Sequence, residues 1–282
     1  MMTATVADLY ARHDPLTDPG GLAALFDPLP SDPAALRAIA SGLIVHVAWA
    51  SRYGIPPDTL MPRETQAVAE RLRLIQSVTA GPLAEARPAA RRSFGTCRDY
   101  ALMLCSMLRH RAIPARVRCG FATYFEAAVP YEDHWICEYW STAAQRWLRA
   151  DAQLDALHRR HLGIGFDSAN LPDGTFLSAN EAWREMRRGA IAAEAFGHGT
   201  EGSGLWFLRV NVHRDLLALA HQQTSAWDSW RCATEASKTL DAAALAAVDD
   251  LAQAADTAAR DADGVAALMA IAPAIQTPPW RL

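Results

Sequence analysis

The segment 95–151 constrains the fold of this chain most strongly, because it predicts one helix followed directly by strands. Thr96 has the residue type of a helix N-cap, and Asp99 three residues later completes an acidic variant of the capping box. The helix has to end before Pro114, since proline cannot continue a helix and restricts the residue before it. The predicted strands then lie at 115–125, 134–140 and 146–151.

Helical patterns flank this segment on both sides. Asp32 and Pro33 suit an N-cap and a first helical position, and apolar residues then recur at helical spacing. The run Ser-Ala-Asn-Glu at 178–181 is a capping box and predicts another helix start. The remaining predicted helices lie at 68–75, 205–219 and 241–259.

A chain of 282 residues is long enough to bury a large core without a stabilising metal or disulfide. With 51% apolar and 21% charged residues, it has the composition of a globular protein. We predict an α+β fold in which the helix that begins near Thr96 packs on an antiparallel sheet, all within one compact domain. Its predicted regions are an N-terminal helical region at 1–92, a core at 93–155 and a helical C-terminal extension at 156–282.

Charge and composition argue against several classes of partner. The formal net charge is −4, whereas a nucleic-acid-binding domain normally carries a basic excess on one face. No run of about 18 apolar residues occurs, so no membrane span is predicted. The first residues show no signal-peptide pattern, and the five cysteines have no paired spacing. We therefore expect a cytoplasmic protein with reduced thiols and no nucleic-acid or membrane partner.

Cys97 is the strongest candidate for a catalytic residue. It lies in the first turn of the predicted helix, where unpaired backbone N–H groups and the helix dipole favour negative charge. The thiolate is the nucleophilic form of cysteine. A nucleophilic cysteine also needs a base within hydrogen-bonding reach, and the base needs a partner that orients it.

His134 and Asp151 can be the base and its partner if the last two predicted strands form a hairpin. A four-residue loop at 141–144 would place Trp140 opposite Gln145, and the same register then places His134 opposite Asp151. Directly opposed side chains share a face, with Cβ atoms about 5 Å apart. A slip by one residue would move the two side chains to different faces. The register is therefore a test of this hypothesis.

The run G-x-C-R-D-Y, the following I-P-A-R, and then H-W-x-x-E-Y and W-x-x-x-D resemble the core of the transglutaminase-like superfamily, which is related to papain-like enzymes. In that family the cysteine opens a helix, and the histidine and aspartate come from two later strands. The resemblance covers 93–155. It implies that Cys97 is the nucleophile, His134 the general base and acid, and Asp151 the orienting carboxylate.

The other cysteines have weaker claims to the nucleophile's role. Cys105 lies in the apolar stripe of the predicted helix, where a packed thiol is expected. Cys119 and Cys137 fall in predicted strands, and Cys137 faces away from His134. Cys232 falls in a helical C-terminal region.

Two carboxylates and a histidine pair also need an interpretation. Asp133 is expected in a solvated turn, and Asp155 follows the end of the last predicted strand, so the register favours Asp151 for the triad. His158 and His161 have a spacing that could bind a metal, but no further ligand completes a set, and a surface pair is expected. We predict no cofactor and no bound metal.

The predicted chemistry is acyl transfer from a peptide or another acyl or amide substrate. Cys97 would attack the carbonyl carbon and form a thioester, and His134 would protonate the leaving group and then activate the acceptor. Water as acceptor gives a peptidase or amidase, and an amine gives a transglutaminase or amide synthase. The sequence leaves both open. The alternative is a catalytically silent binding protein, against which the complete triad argues.

Overall fold

The computed structural model describes residues 5–59, 65–199, 202–224 and 238–276. The helices of these ranges are α1 Val6–Leu9, α2 Pro33–Leu43, α3 Val68–Val78, α4 Cys97–His110, α5 Ala156–His161, α6 Ala179–Arg187, α7 Leu205–Leu219, α8 Ala242–Arg260 and α9 Ala262–Ile275. The strands are β1 Ile44–His46, β2 Ser93–Gly95, β3 Ala115–Ala122, β4 Tyr131–Ser141, β5 Arg146–Ala150, β6 Phe176–Ser178, β7 Phe196–His198 and β8 Gly202–Ser203. The mixture of helices and sheet confirms the predicted α+β class.

The chain divides into two compact units that are interleaved along the sequence. The first unit comprises the residues up to Leu9, the segment Arg118–Trp135 and the residues from Asp173 onward. The second unit comprises Tyr10–Val117 and Ile136–Pro172. These boundaries differ from those of the regions 1–92, 93–155 and 156–282, which stay a prediction from the sequence pattern.

The strand order of the larger sheet is β6-β3-β4-β7-β8, and β5 also pairs with β4. In the first unit β6 runs antiparallel to β3, β8 runs antiparallel to β7, and β7 runs parallel to β4. In the second unit β5 runs antiparallel to β4, and β1 and β2 form a separate parallel pair. The predicted antiparallel sheet is therefore correct for the hairpin of β4 and β5, but the β4–β7 pair is parallel.

Local capping explains where the main helices begin. In the second unit the Asp32 carboxylate accepts a hydrogen bond from the Ala35 backbone at 2.8 Å, and Pro33 follows the N-cap, as predicted. In the first unit the Glu181 carboxylate accepts hydrogen bonds of 2.8 Å from both the backbone N–H and the hydroxyl of Ser178. These contacts satisfy donors that a helix leaves unpaired at its start.

Each unit has its own packed interior. In the first unit α7 and α8 pack on each other and on α6 and α9. Large apolar side chains fill the interior there, including Phe121, Trp183, Phe196 and Phe207. In the second unit α4 packs on α2 and α3.

A buried ion pair joins α7 to β3 within the first unit. The Asp215 carboxylate accepts two hydrogen bonds from the Arg118 guanidinium, at 2.9 and 2.7 Å, and a third from the Cys119 backbone at 2.9 Å. Both charged side chains are almost entirely excluded from solvent. A buried charge that loses its partner costs far more than an exposed one.

We expect Asp215→Ala to lower the free energy of unfolding by about 3–5 kcal/mol, because the Arg118 charge stays buried without its carboxylate. Urea unfolding followed by circular dichroism measures this. The control is Arg187→Ala, which breaks the exposed Arg187–Asp249 pair of the same unit and should cost under about 1 kcal/mol. Equal losses in the two variants would contradict the view that burial decides the value of these pairs.

Candidate active site

Cys97 is the first residue of α4, as the capping pattern predicts. Thr96 is the N-cap, and the Asp99 carboxylate accepts hydrogen bonds from the Thr96 backbone at 2.7 Å and from the Thr96 hydroxyl at 3.1 Å. The Arg71 guanidinium lies 2.8 Å from the other Asp99 oxygen. The Asp99 carboxylate therefore fixes the backbone at Thr96, directly before Cys97 at the start of α4.

The short parallel pair of β1 and β2 leads the chain into this helix start. Gly95, the last residue of β2, lies opposite His46 of β1. A Cβ atom on Gly95 would lie 2.9 Å from an Asp99 carboxylate oxygen and 2.9 Å from a methyl carbon of Ile44. The close approach of Asp99 to the backbone thus requires glycine two residues before Cys97.

The other described cysteines differ from Cys97 in exposure. Cys97 keeps 7% of its surface exposed, whereas Cys105, Cys119 and Cys137 have none. Burial raises the pKa of the Cys137 thiol well above its usual range and keeps that thiol protonated. Cys232 lies outside the described residues.

His134 lies in the part of β4 that belongs to the first unit, and only 2% of its surface is exposed. Two aromatic rings from the loop between β3 and β4 meet the imidazole nearly edge-on. Their centroids lie 4.8 Å away for Phe125 and 6.0 Å away for Tyr124. Sequence reasoning missed both rings, because it placed Tyr124 and Phe125 inside the predicted strand 115–125, whereas β3 ends at Ala122.

The expectation that Asp133 lies in a solvated turn is wrong. Asp133 is a buried residue of β4, and its carboxylate accepts hydrogen bonds from Asn211 at 2.9 Å and from Arg214 at 3.4 Å. The strand begins at Tyr131, earlier than predicted, and α7 supplies these polar partners in the first unit. Asp133 is therefore engaged in a structural contact.

Asp151 directly follows β5 in the second unit and is almost fully buried. Its carboxylate accepts a hydrogen bond from the Gln153 backbone at 2.8 Å, and its own backbone N–H donates to the Ser168 carbonyl at 2.8 Å. The chain thus turns away from the hairpin at Asp151, and the turn holds the carboxylate in place.

The predicted hairpin register is wrong, because the four-residue loop lies at 142–145, one residue later than the predicted 141–144. Trp140 lies opposite Trp147, not Gln145, and the last pair before the loop is Ser141 with Arg146. Gln145 adopts a left-handed backbone conformation, with a φ of 51°, and becomes the last residue of the four-residue loop. The shift follows from this turn geometry, which the residue pattern alone does not specify.

The shift removes the direct pairing of His134 with Asp151, because β5 ends at Ala150 opposite Cys137. Moving the loop by one residue changes the β5 partner of each β4 residue by two positions. Because side chains alternate between the two faces of a strand, a change of two positions leaves every side chain on its predicted face. Glu138 lies opposite Arg149, and their ion pair measures 3.1 Å. Cys97 and Asp151 belong to the second unit and His134 to the first, so the triad stays a prediction.

Asp155 and His158 form a buried cluster in the second unit, so the expectation of a surface histidine pair is wrong for His158. Asp155 is the N-cap of α5, and its carboxylate accepts a hydrogen bond from the Tyr53 hydroxyl at 2.6 Å. The other oxygen lies 3.0 Å from Nδ1 of His158, whose ring stacks on Trp49 at 4.1 Å. His161 remains exposed, as expected.

Two opposing effects set the pKa of Asp155. Burial would raise it, but the hydrogen bonds from His158 and Tyr53 outweigh burial and hold the pKa far below its usual range. The ionised carboxylate is therefore the form that the folded second unit stabilises.

These observations define an α+β protein with a cysteine at the capped start of a buried helix. Residues 62–152 match the family model of the transglutaminase-like superfamily. The resemblance predicted from the motifs is thus confirmed, and the chain carries a transglutaminase-like domain in this segment. Members of the superfamily are typically cysteine-dependent acyl-transfer enzymes, although inactive members exist. The comparisons with curated proteins and with solved structures found no match.

Two further findings concern membranes and metals. None of the helices in the described ranges combines the length and the apolar character that crossing a membrane requires. Over the same ranges, no three His, Cys, Asp or Glu side chains are grouped as metal ligands would be.

We expect Gly95→Ala to destabilise the protein by about 1–3 kcal/mol, because the added methyl group overpacks the contact between Asp99 and Ile44. The matched control is Gly42→Ala in α2, where nothing lies within 4 Å of the added carbon. That change should be neutral or stabilise by up to about 1 kcal/mol, since alanine favours a helix. Thermal unfolding compares the two. A silent Gly95→Ala would contradict the close approach at the helix start.

We expect Asp155→Asn to cost about 1–3 kcal/mol at neutral pH, because the amide oxygen can keep the cap but the negative charge and the oxygen that accepts from Tyr53 are lost. Since folding lowers the pKa of Asp155, its contribution is complete above the unfolded pKa and is lost as the pH falls below about 4. The difference between wild type and variant should therefore shrink in acid. Asp58→Asn, at an exposed position of the same unit, is the control and should show no such trend in urea unfolding between pH 7 and pH 3. A pH-independent loss in Asp155→Asn would contradict the ionic interpretation.

Proposed function

We propose that this protein is a cysteine-dependent acyl-transfer enzyme that uses Cys97, His134 and Asp151. Its substrate is a peptide or another acyl or amide compound. The proposal rests above all on one observation: Cys97 occupies the first position of a capped helix inside the segment that matches the transglutaminase-like family model. A thiolate is favoured at such a position by the backbone N–H groups and the helix dipole.

The proposed reaction has two halves. The Cys97 sulfur attacks the carbonyl carbon, and His134 gives its proton to the leaving group, which leaves a thioester on Cys97. His134 then takes a proton from water or an amine, which attacks the thioester carbon and releases the sulfur. The Cys97 backbone N–H is a suitable donor to the oxyanion. Asp151 orients the imidazole in both halves.

Burial supports these roles for the histidine and the aspartate. The imidazole of His134 is shielded from water within the first unit, and the carboxylate of Asp151 is held by a backbone N–H within the second. Charge interactions are stronger in such surroundings than in bulk water. The competing carboxylates are engaged elsewhere, Asp133 with Asn211 and Asp155 with Tyr53.

The alternative is a catalytically silent binding protein with the same fold. The superfamily includes inactive members, so the family match alone does not separate the two functions. A complete set of Cys97, His134 and Asp151 favours the enzyme, because all three residue types that the chemistry requires are retained.

We expect iodoacetamide at neutral pH to alkylate Cys97 before any other cysteine, and an activated acetyl ester to form an acetyl thioester there. Peptide mapping and intact mass measure these products. Both reactions are run on a Cys232→Ser variant, so that only the four cysteines of the described residues compete for the reagents. Cys97→Ala should abolish the thioester, and His134→Ala should slow its turnover by at least about 10²-fold.

Asp151→Asn should keep the fold and lower turnover of the thioester by up to about 10⁴-fold, as loss of an orienting aspartate does in serine proteases. Asp58→Asn is the matched control in the same unit and should retain activity. Faster alkylation of Cys105 or Cys119 would refute the choice of nucleophile. A folded Asp151→Asn variant with full turnover would refute the triad, and absence of any thioester would favour the binding protein.

A further inference from the structure

A cavity of about 470 Å³ lies on the surface of the second unit, beside α5. The described residues that line it are Arg52, Leu157, Arg160 and His161, and we call it the arginine cavity. Arg52 belongs to the 3₁₀ helix Val47–Tyr53, and the other three residues belong to α5. All four lie in the same compact unit. The volume is within the range of about 300–1,000 Å³ that is usual for small-molecule sites.

The buried indole of Trp49 orders two of the side chains that line the cavity. The guanidinium carbon of Arg52 lies 4.6 Å from the centroid of an indole ring, and the His161 imidazole meets the indole edge-on at 5.4 Å. Nε of Arg52 also donates to Nε2 of His161 at 3.2 Å. These contacts orient the guanidinium before any ligand arrives, so it loses less freedom on binding than an unsupported surface arginine would.

The two guanidinium charges of the arginine cavity have no carboxylate partner among the described residues. Both Nη groups of Arg52 are unpaired with respect to those residues, and Arg160 makes no hydrogen bond or ion pair with any of them. The neighbouring cations, in contrast, are engaged. Arg159 donates to a backbone carbonyl at 2.5 Å, and Arg92 pairs with Asp155 at 3.2 Å. The cavity therefore keeps two uncompensated positive charges, which favour an anion.

We propose that the arginine cavity binds the phosphate group of a small phosphorylated compound, with Arg52 and Arg160 as its two charged donors. A phosphate monoester carries about −1.5 to −2 charges at neutral pH and balances both guanidinium groups, whereas a carboxylate balances only one. The planar guanidinium fork donates to two phosphate oxygens at once, and Arg52 presents its two Nη groups for this purpose. Leu157 supplies an apolar contact for the organic part of the compound.

This site does not depend on the acyl transfer proposed for Cys97. Neither Cys97 nor Asp151 is among the residues that line the arginine cavity. Binding is therefore measured directly, and a failure of the acyl-transfer proposal would leave the result of the binding experiment unchanged.

The experiment is isothermal titration calorimetry of the full chain in a low-salt HEPES buffer at neutral pH. The probes are phenyl phosphate, inorganic phosphate and phenylacetate, and sodium chloride at equal ionic strength is the blank. Wild type should bind one phenyl phosphate per chain, and inorganic phosphate more weakly, because it lacks the contact with Leu157. Phenylacetate has the same ring but a single negative charge, so its Kd should be higher by about tenfold or more.

Arg52→Gln and Arg160→Gln should each raise the Kd of phenyl phosphate by about tenfold or more, because each removes a charge-assisted contact. Both arginines are exposed, so each variant provides a second test if the other does not fold. Arg52→Lys keeps the charge but loses the planar fork and should weaken binding several-fold. The matched control is Arg73→Gln, which removes an exposed arginine of α3 in the same unit and should leave the Kd unchanged.

Three results would overturn the phosphate site. The first is a wild type that binds phenyl phosphate no better than the sodium chloride blank. The second is an equal loss of binding in Arg73→Gln and in the two cavity variants, since that would reflect the overall charge of the protein. The third is phenylacetate that binds as tightly as phenyl phosphate.

Discussion

The hydrogen bonds of Asp99 at the start of α4 are the interaction on which the second unit depends. Every residue of α4 except His110 is buried, so solvent cannot satisfy the donors at its N-terminus. Asp99 caps the Thr96 backbone, and its other oxygen pairs with Arg71 of α3, which also donates to the Phe94 carbonyl of β2. One carboxylate thereby joins a helix start, a second helix and a strand.

Buried arginine–carboxylate pairs play a similar part elsewhere in the chain. Arg118 and Asp215 join β3 to α7 in the first unit, and Glu138 lies between Arg116 and Arg149 in the second. The guanidinium group suits such positions, because it donates several hydrogen bonds in a fixed plane. A misaligned strand or helix would leave one of these charges buried without its partner, so the pairs penalise misaligned packing.

Several parts of the fold were predictable because their signals are local. The start of α4 at Cys97, the cap at Asp32 and the bounds of α7 each depend on a few neighbouring residues. The expectations for residues whose partners lie far along the chain were wrong in two cases. Asp133 was expected in solvent, yet Asn211 and Arg214 from α7 surround it. His158 was expected at the surface, yet Trp49 covers its ring. No local pattern encodes a partner that lies far along the chain.

By itself the sequence determined the helix start at Cys97, the three strands that follow this helix and the likeness to the transglutaminase-like core, because capping, periodicity and motif spacing act over a few residues. Only the tertiary structure decided the hairpin register, in which the left-handed conformation of Gln145 shifts the loop by one position. It also decided which carboxylates are engaged in structural contacts and which aromatic rings lie beside His134. Those outcomes depend on how the strands and helices pack, and packing is settled by long-range contacts that compete with one another.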